Sequence, residues 1–150
     1  MNKVKLSVII TTRDRELLLR SCLDSIVKNN LTIPYEVIIV DDASSDGTNK
    51  IDSNEYPHLN LIVIRNKQQL MMVRSRNLGA RNAKGEFVLF VDDDNEIDTN
   101  MVESLISHLE KNPSVGLVGP TMYHKGSDLP YLTSQRINLF TGKTKGIIST

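Results

Sequence analysis

Cysteine, net charge and long apolar runs are all scarce in this 150-residue sequence. The single cysteine, Cys22, has no partner for an internal disulfide, which fits a reducing compartment. Eighteen basic side chains against eighteen acidic ones give a formal net charge of zero. No global field is therefore available to hold a nucleic-acid backbone or an anionic membrane, and any anion must be held locally. No apolar run approaches the roughly 20 residues that span a bilayer. The first residues open directly into a strand pattern and not into a signal peptide. The expectation is a cytoplasmic chain without a membrane span, associated with membranes only through segments or partners outside this sequence. Internal repeats, low-complexity tracts and linkers are lacking as well, which excludes a solenoid or a coiled coil.

What is present is alternation. Residues 6–10 form a β-branched apolar run of the kind buried on both faces of a parallel sheet, and 37–40, 59–64, 87–91 and 115–118 repeat it. Between them, Leu19, Cys22, Leu23, Ile26 and Val27 recur at helical spacing over 16–30, with Asp14 as the expected N-cap. Residues 68–83 read as a second helix ended by Lys84-Gly85, and Val102, Leu105, Ile106 and Leu109 mark a third. Gly79, mid-helix, suits close approach to a neighbour. After Gly119-Pro120 the pattern weakens. Tyr123, Tyr131, Leu132, Ile137, Leu139 and Phe140, punctuated by Gly126, Pro130 and Gly142, suggest short strands or an ordered flap. Such alternation specifies an α/β fold, a mostly parallel sheet flanked by helices on both faces.

In such a sheet ligands bind beyond the carboxyl ends of the strands, where the unusual residues lie. The first strand ends in Thr11, Thr12 and Arg13, the second in Asp41 and Asp42, the fourth in Asp92, Asp93 and Asp94, all converging on one rim. Three adjacent carboxylates repel one another and call for a cation; a divalent metal held by one or two carboxylates and completed by a diphosphate meets that need. Asp41 and Asp42 can accept hydrogen bonds from a base edge or ribose hydroxyls, while Ser45 or Asp46 caps the next turn. The helix before the acidic strand carries Arg74, Arg76, Asn77 and Arg81, and one of these guanidinium groups could meet a phosphate or face water. His58, His108 and His124 lack metal-ligand spacing, Cys22 reads as core, and Met71 and Met72 read as packing residues.

In order and spacing, residues 6–15, 36–48 and 76–94 resemble the family 2 glycosyltransferases of the GT-A fold. The carriers are Thr11-Thr12-Arg13-Asp14-Arg15, Val40-Asp41-Asp42-Ala43-Ser44, and Arg76-Asn77-Leu78-Gly79 leading to Asp92-Asp93-Asp94. The resemblance implies a GT-A, Rossmann-like sheet with a less regular C-terminal flap, residues 1–150 being one nucleotide-sugar-binding domain without most of the acceptor-binding half. It implies inverting transfer of a sugar from a nucleotide-diphosphate donor to a saccharide, lipid or other hydroxyl acceptor, dependent on Mn²⁺ or Mg²⁺. Thr11, Thr12 and Arg13 would lie beside the nucleotide, Asp42 or Asp41 on the base edge, and Arg76 on the nucleotide. Asp92, Asp93 and Asp94 would form the DxD motif, with Asp94 and Asp92 on the metal and Asp92 or Asp93 on ribose or water. No catalytic base is assigned: Glu96, Asp98, Glu103, Glu110 and Asp128 are the remaining acids, and none has the family's context. A donor-binding module without turnover is the alternative. A phosphoacceptor receiver domain is the rival class, and a nucleotidyltransferase lacks the glycine-rich loop it would need after the first strand.

Overall fold

The computed structural model describes residues 3–132, 134–137 and 144–147, with side chains through residue 130. It divides into two compact units, Met1–Asn100 and Met101–Thr150. In the first, strands β1 (Leu6–Thr12), β2 (Tyr35–Asp41), β3 (Leu61–Arg65) and β4 (Phe87–Asp92) form one sheet in the order β3-β2-β1-β4. All three ladders are parallel, with Val8 opposite Val37 and Leu89, and Thr11 opposite Val40 and Asp92. Both central strands are apolar on both faces: Val8, Ile9, Ile10, Val37, Ile38, Ile39 and Val40 are all buried. At about 1.5–3 kcal/mol for each such side chain, these two strands contribute a large share of the core's stability.

Helix α1 (Glu16–Asn29) connects β1 to β2, and α2 (Met72–Asn82) connects β3 to β4. The first connection moves one way along the sheet and the second moves back across it, so right-handed crossovers set the helices on opposite faces. Leu19, Cys22, Leu23 and Ile26 form the buried stripe of α1. Gly79 seats α2 on β1 and β2: a Cβ there would stand 2.5 Å from a methyl of Ile9 and 3.3 Å from one of Val40.

The amino-terminal edge of the sheet is locked by a polar cluster. The buried Glu36 carboxylate accepts hydrogen bonds from Ser7 Oγ at 2.6 Å and from Lys84 N at 2.7 Å, while Ser7 Oγ accepts from Gly85 N at 2.8 Å.

Several expectations need correction. The start of α1 is not capped by Asp14. Asp14 sits at φ +50°, and its carboxylate accepts instead from the Ser45 backbone and hydroxyl. Glu16 N donates to Asp46 Oδ2 and Arg15 N to Thr48 Oγ1, so the loop after β2 satisfies the helix across space. Asp46 also caps the 3-10 turn at Gly47–Lys50 by accepting from Thr48 N. Helix α2 begins four residues later than its periodicity suggests, because Leu70 and Met71 spend their N–H groups on Asp42. Strand β3 begins at Leu61, not at residue 59.

The second unit contains α3 (Met101–Lys111) and two antiparallel pairs, β5 (Met122–Tyr123) with β6 (Pro130–Leu132) and β7 (Ser134–Ile137) with β8 (Thr144–Ile147). Residues 115–118 form no strand; they gain no ladder partner, and Leu117 is exposed. Leu139, Phe140 and Gly142 lie outside the described residues. Among those described, no helix is long and apolar enough to cross a membrane.

Candidate functional site

The carboxyl ends of β1, β2 and β4 open into a cavity of about 470 Å³. Thr11, Thr12 and Arg13 reach it from β1 and the turn that follows, Asp42 from the end of β2, and Asp92, Asp93 and Asp94 from the end of β4. Asp41 does not line it: Asp41 Oδ1 accepts from Ser44 N at 2.9 Å, and Oδ2 stands 3.8 Å from Arg65 Nε, which holds the buried carboxylate within the turn.

Asp42 is buried yet lines the cavity, and its two oxygens are used unequally. Oδ1 accepts from Leu70 N at 2.8 Å, Asn66 Nδ2 at 2.8 Å and Ser75 Oγ at 3.0 Å, whereas Oδ2 accepts, among the described residues, from Met71 N alone, at 2.9 Å. Burial pushes the carboxyl pKa up, but those four donors outweigh it and hold the group below the ordinary aspartate value. The remaining acceptor capacity therefore sits on Oδ2.

The acidic triplet divides the same way. Asp93 is buried and fixed, accepting from Thr12 Oγ1 at 2.7 Å and Arg15 Nη1 at 3.1 Å. Asp92 and Asp94 are exposed; Arg76 pairs with Asp92, and Arg15 Nη1 reaches Asp94 Oδ2 at 3.2 Å. The charge of Asp93 raises the pKa of Arg15 further, so this guanidinium is charged at every accessible pH. Asp42 and the triplet share a cavity, but Asp42 is satisfied by neutral donors, and two arginines compensate the triplet. Among the described residues no three carboxylate, imidazole or thiol groups form a metal cluster.

Met71 and Met72 are not packing residues; both are exposed and line the cavity. Met71 adopts φ +69° and ψ 158°, a backbone region that belongs to glycine, and its bond to Asp42 holds it there. Met71→Gly is expected to raise stability by about 1 kcal/mol, because the relieved strain exceeds the added unfolded-state entropy. Urea unfolding of the two proteins checks this, and an unchanged or lower midpoint refutes it.

Arg15, quoted in the first motif without a role of its own, contributes to the site, as do Asn66, Gln69 and Ser75, which the sequence reading did not name. The only signal was position, Arg15 one residue past the first rim turn and Asn66 just after β3. Of the other candidates, His58 and His108 are exposed, and burial pushes the Cys22 thiol up to about 12, which leaves it inert. Arg74 and Arg81 are exposed on α2.

Residues 7–149 match the model of glycosyl transferase family 2. The chain is 33% identical over 113 residues to an uncharacterized glycosyltransferase of Haemophilus influenzae, an alignment covering 75% of this chain and 37% of the relative. It is 34% identical over 133 residues to a poly(ribitol-phosphate) beta-glucosyltransferase of Bacillus spizizenii, covering 85% and 20%. Among solved structures, S. aureus TarS 1-349 in complex with UDP-GlcNAc superposes with a TM-score of 0.66 at 31% identity, covering 73% of this chain and 32% of that one. The mannosyltransferase PcManGT of Pyrobaculum calidifontis, in complex with GDP-Man and Mn²⁺, gives 0.68 at 26% identity, covering 77% and 35%. The chain thus spans well under half the length of these relatives.

Proposed function

The chain belongs to glycosyl transferase family 2, and from that premise we propose that its rim cavity binds a nucleoside-diphosphate sugar for transfer to an acceptor hydroxyl. The observation that carries the reading is one cavity lined at once by a carboxylate with a single open oxygen, Asp42, and by the acid–arginine group at the end of β4. The first suits the N–H edge of a base, and the second suits a diphosphate with its cation. Thr11 and Arg13 line the same cavity, where they would lie beside the nucleotide. Solved relatives holding UDP-GlcNAc, or GDP-Man with Mn²⁺, support a donor of this class. Membership in this family removes the receiver-domain alternative.

The donor set fits a divalent ion of the Mg²⁺ or Mn²⁺ kind: two exposed carboxylates, Asp94 and Asp92, in a cavity with room for phosphate oxygens. When bound, such an ion would stabilise the charge that develops on the departing diphosphate. The chain's own residues would do the rest. Asp42 and Thr11 orient the nucleoside, Asp93 fixes Thr12 and Arg15, and Arg76 adds positive charge at the rim. The reaction proposed is a direct displacement with inversion, in which the acceptor oxygen bonds the anomeric carbon as the diphosphate leaves with the electron pair. The base that takes the hydroxyl proton is unassigned. Glu96 accepts from Ser21 Oγ, neither Glu96 nor Asp98 lines the cavity, and Glu103, Glu110 and Asp128 belong to the second unit.

Thermal unfolding with UDP, GDP or dTDP, each with and without Mn²⁺, tests the reading. At a hundredfold excess over Kd the preferred nucleotide adds about 2.7 kcal/mol, or about 5–10 °C for a chain of this size, and adds less without the metal. If no diphosphate shifts the transition in the presence of Mn²⁺, the proposal fails.

A further inference from the structure

We infer that Arg15 is a ligand of the donor's diphosphate, held ready on Asp93, and that it cedes Asp94 to the divalent ion when donor and metal enter. The inference rests on the donor reading above. Arg15 lines the cavity, and a single nitrogen, Nη1, serves both Asp93 Oδ1 and Asp94 Oδ2, at 3.1 and 3.2 Å. Its Nε and Nη2 bond no other described residue, which leaves donors to offer to an anion. A guanidinium with one corner anchored and the others open matches phosphate oxygens in its fork geometry.

The two carboxylates that hold Arg15 differ in what each can give up. The side chain of Asp93 is 7% exposed and also takes the Thr12 hydroxyl, so its bond to Arg15 is the anchor. The side chain of Asp94 is 50% exposed, and Arg15 is its sole hydrogen-bond partner among the described residues, so an incoming cation can claim this oxygen without uncovering a buried group. Charge points the same way. Three carboxylates against two guanidinium groups, those of Arg15 and Arg76, leave one net negative charge on the triplet and its partners. A diphosphate arriving alone is repelled, whereas one accompanied by a divalent ion meets a neutralised Asp94 and a freed arginine. The amino end of α1 does not take this role, because Asp46 and Thr48 already occupy the first N–H groups there.

The experiment is isothermal titration of wild type, Arg15→Met and Arg15→Lys with UDP and GDP in the presence of Mn²⁺, and with the nucleosides uridine and guanosine. Binding of Mn²⁺ alone is followed by its electron paramagnetic resonance signal. Arg15→Met is expected to weaken the diphosphates by about 10- to 100-fold, the loss of one or two charge-assisted hydrogen bonds, while leaving the nucleosides unchanged. Mn²⁺ alone should bind at least as tightly as to wild type, since its competitor for Asp94 is gone. Arg15→Lys, which keeps the charge without the fork, should recover part of the loss. Diphosphate affinity within about twofold of wild type, or equal weakening of nucleoside and diphosphate, overturns the role of Arg15 and leaves the donor reading standing. Failure of wild type itself to bind either diphosphate overturns both.

Discussion

Asp42→Ala is expected to cost about 2–3 kcal/mol of stability and to remove nucleotide binding, because it takes the shared acceptor from four donors at once, one of them the buried Ser75 hydroxyl. The N–H groups of Leu70 and Met71 and the Ser75 hydroxyl lose their acceptor, and the Asn66 amide keeps only Ser75 Oγ. Strain at Met71 then has nothing opposing it, so the 66–71 segment should loosen first. Asp42→Asn separates geometry from charge. Its carbonyl oxygen can replace Oδ1, but its NH₂ then faces the Met71 N–H, donor against donor. The sign of the pH dependence follows from the lowered carboxyl pKa. The carboxylate's contribution is complete above the ordinary aspartate value and is lost as pH falls through the lower folded-state value, so wild type and Asp42→Asn should converge in stability in strong acid. Urea unfolding at neutral pH and in acid measures both effects. Equal midpoints at neutral pH would show that the four bonds contribute nothing net.

Gly85→Ala should be comparably damaging from the opposite edge of the sheet. A Cβ on Gly85 would stand 2.4 Å from Ser7 N and 2.6 Å from Leu6 C, backbone atoms of the central strand that have no rotamer by which to yield. The start of β4 must move off β1, breaking the Gly85–Ser7 bond and leaving the buried Glu36 with a displaced network. About 3 kcal/mol is the expected loss, at the upper end of overpacking costs. Since β4 carries the acidic triplet at its far end, metal-dependent nucleotide binding should weaken in the same variant. A stable Gly85→Ala protein with unaltered binding would mean that β4 is not held at this point.

The architecture was legible in the sequence because its central strands are buried on both faces, so unbroken β-branched runs announce them. The rim followed from strand-end position alone, which is why Asp42 and the triplet could be named together. The partners of those carboxylates were not legible. Asp42 is held from 66–75 and Asp93 from Thr12 and Arg15, contacts between segments distant in sequence that no local pattern encodes. The same limit explains the misplaced cap, since Asp14 has the right residue type in the right place but Asp46, thirty positions beyond Glu16, makes the bond to it. Residues 115–118 have strand composition, yet composition supplies no ladder partner. Met71 is the opposite case: a glycine would have advertised the left-handed backbone that methionine conceals.

The bonds that tie residues 14–16 to residues 44–48 give α1 a remote origin. Its first turn is completed by a loop that follows the next strand, so the helix cannot be fully formed until β2 has taken its place beside β1. The first half of the sheet thus gains cooperativity that neither segment has alone, and a loop that looks free to accept insertions is instead part of the helix it faces.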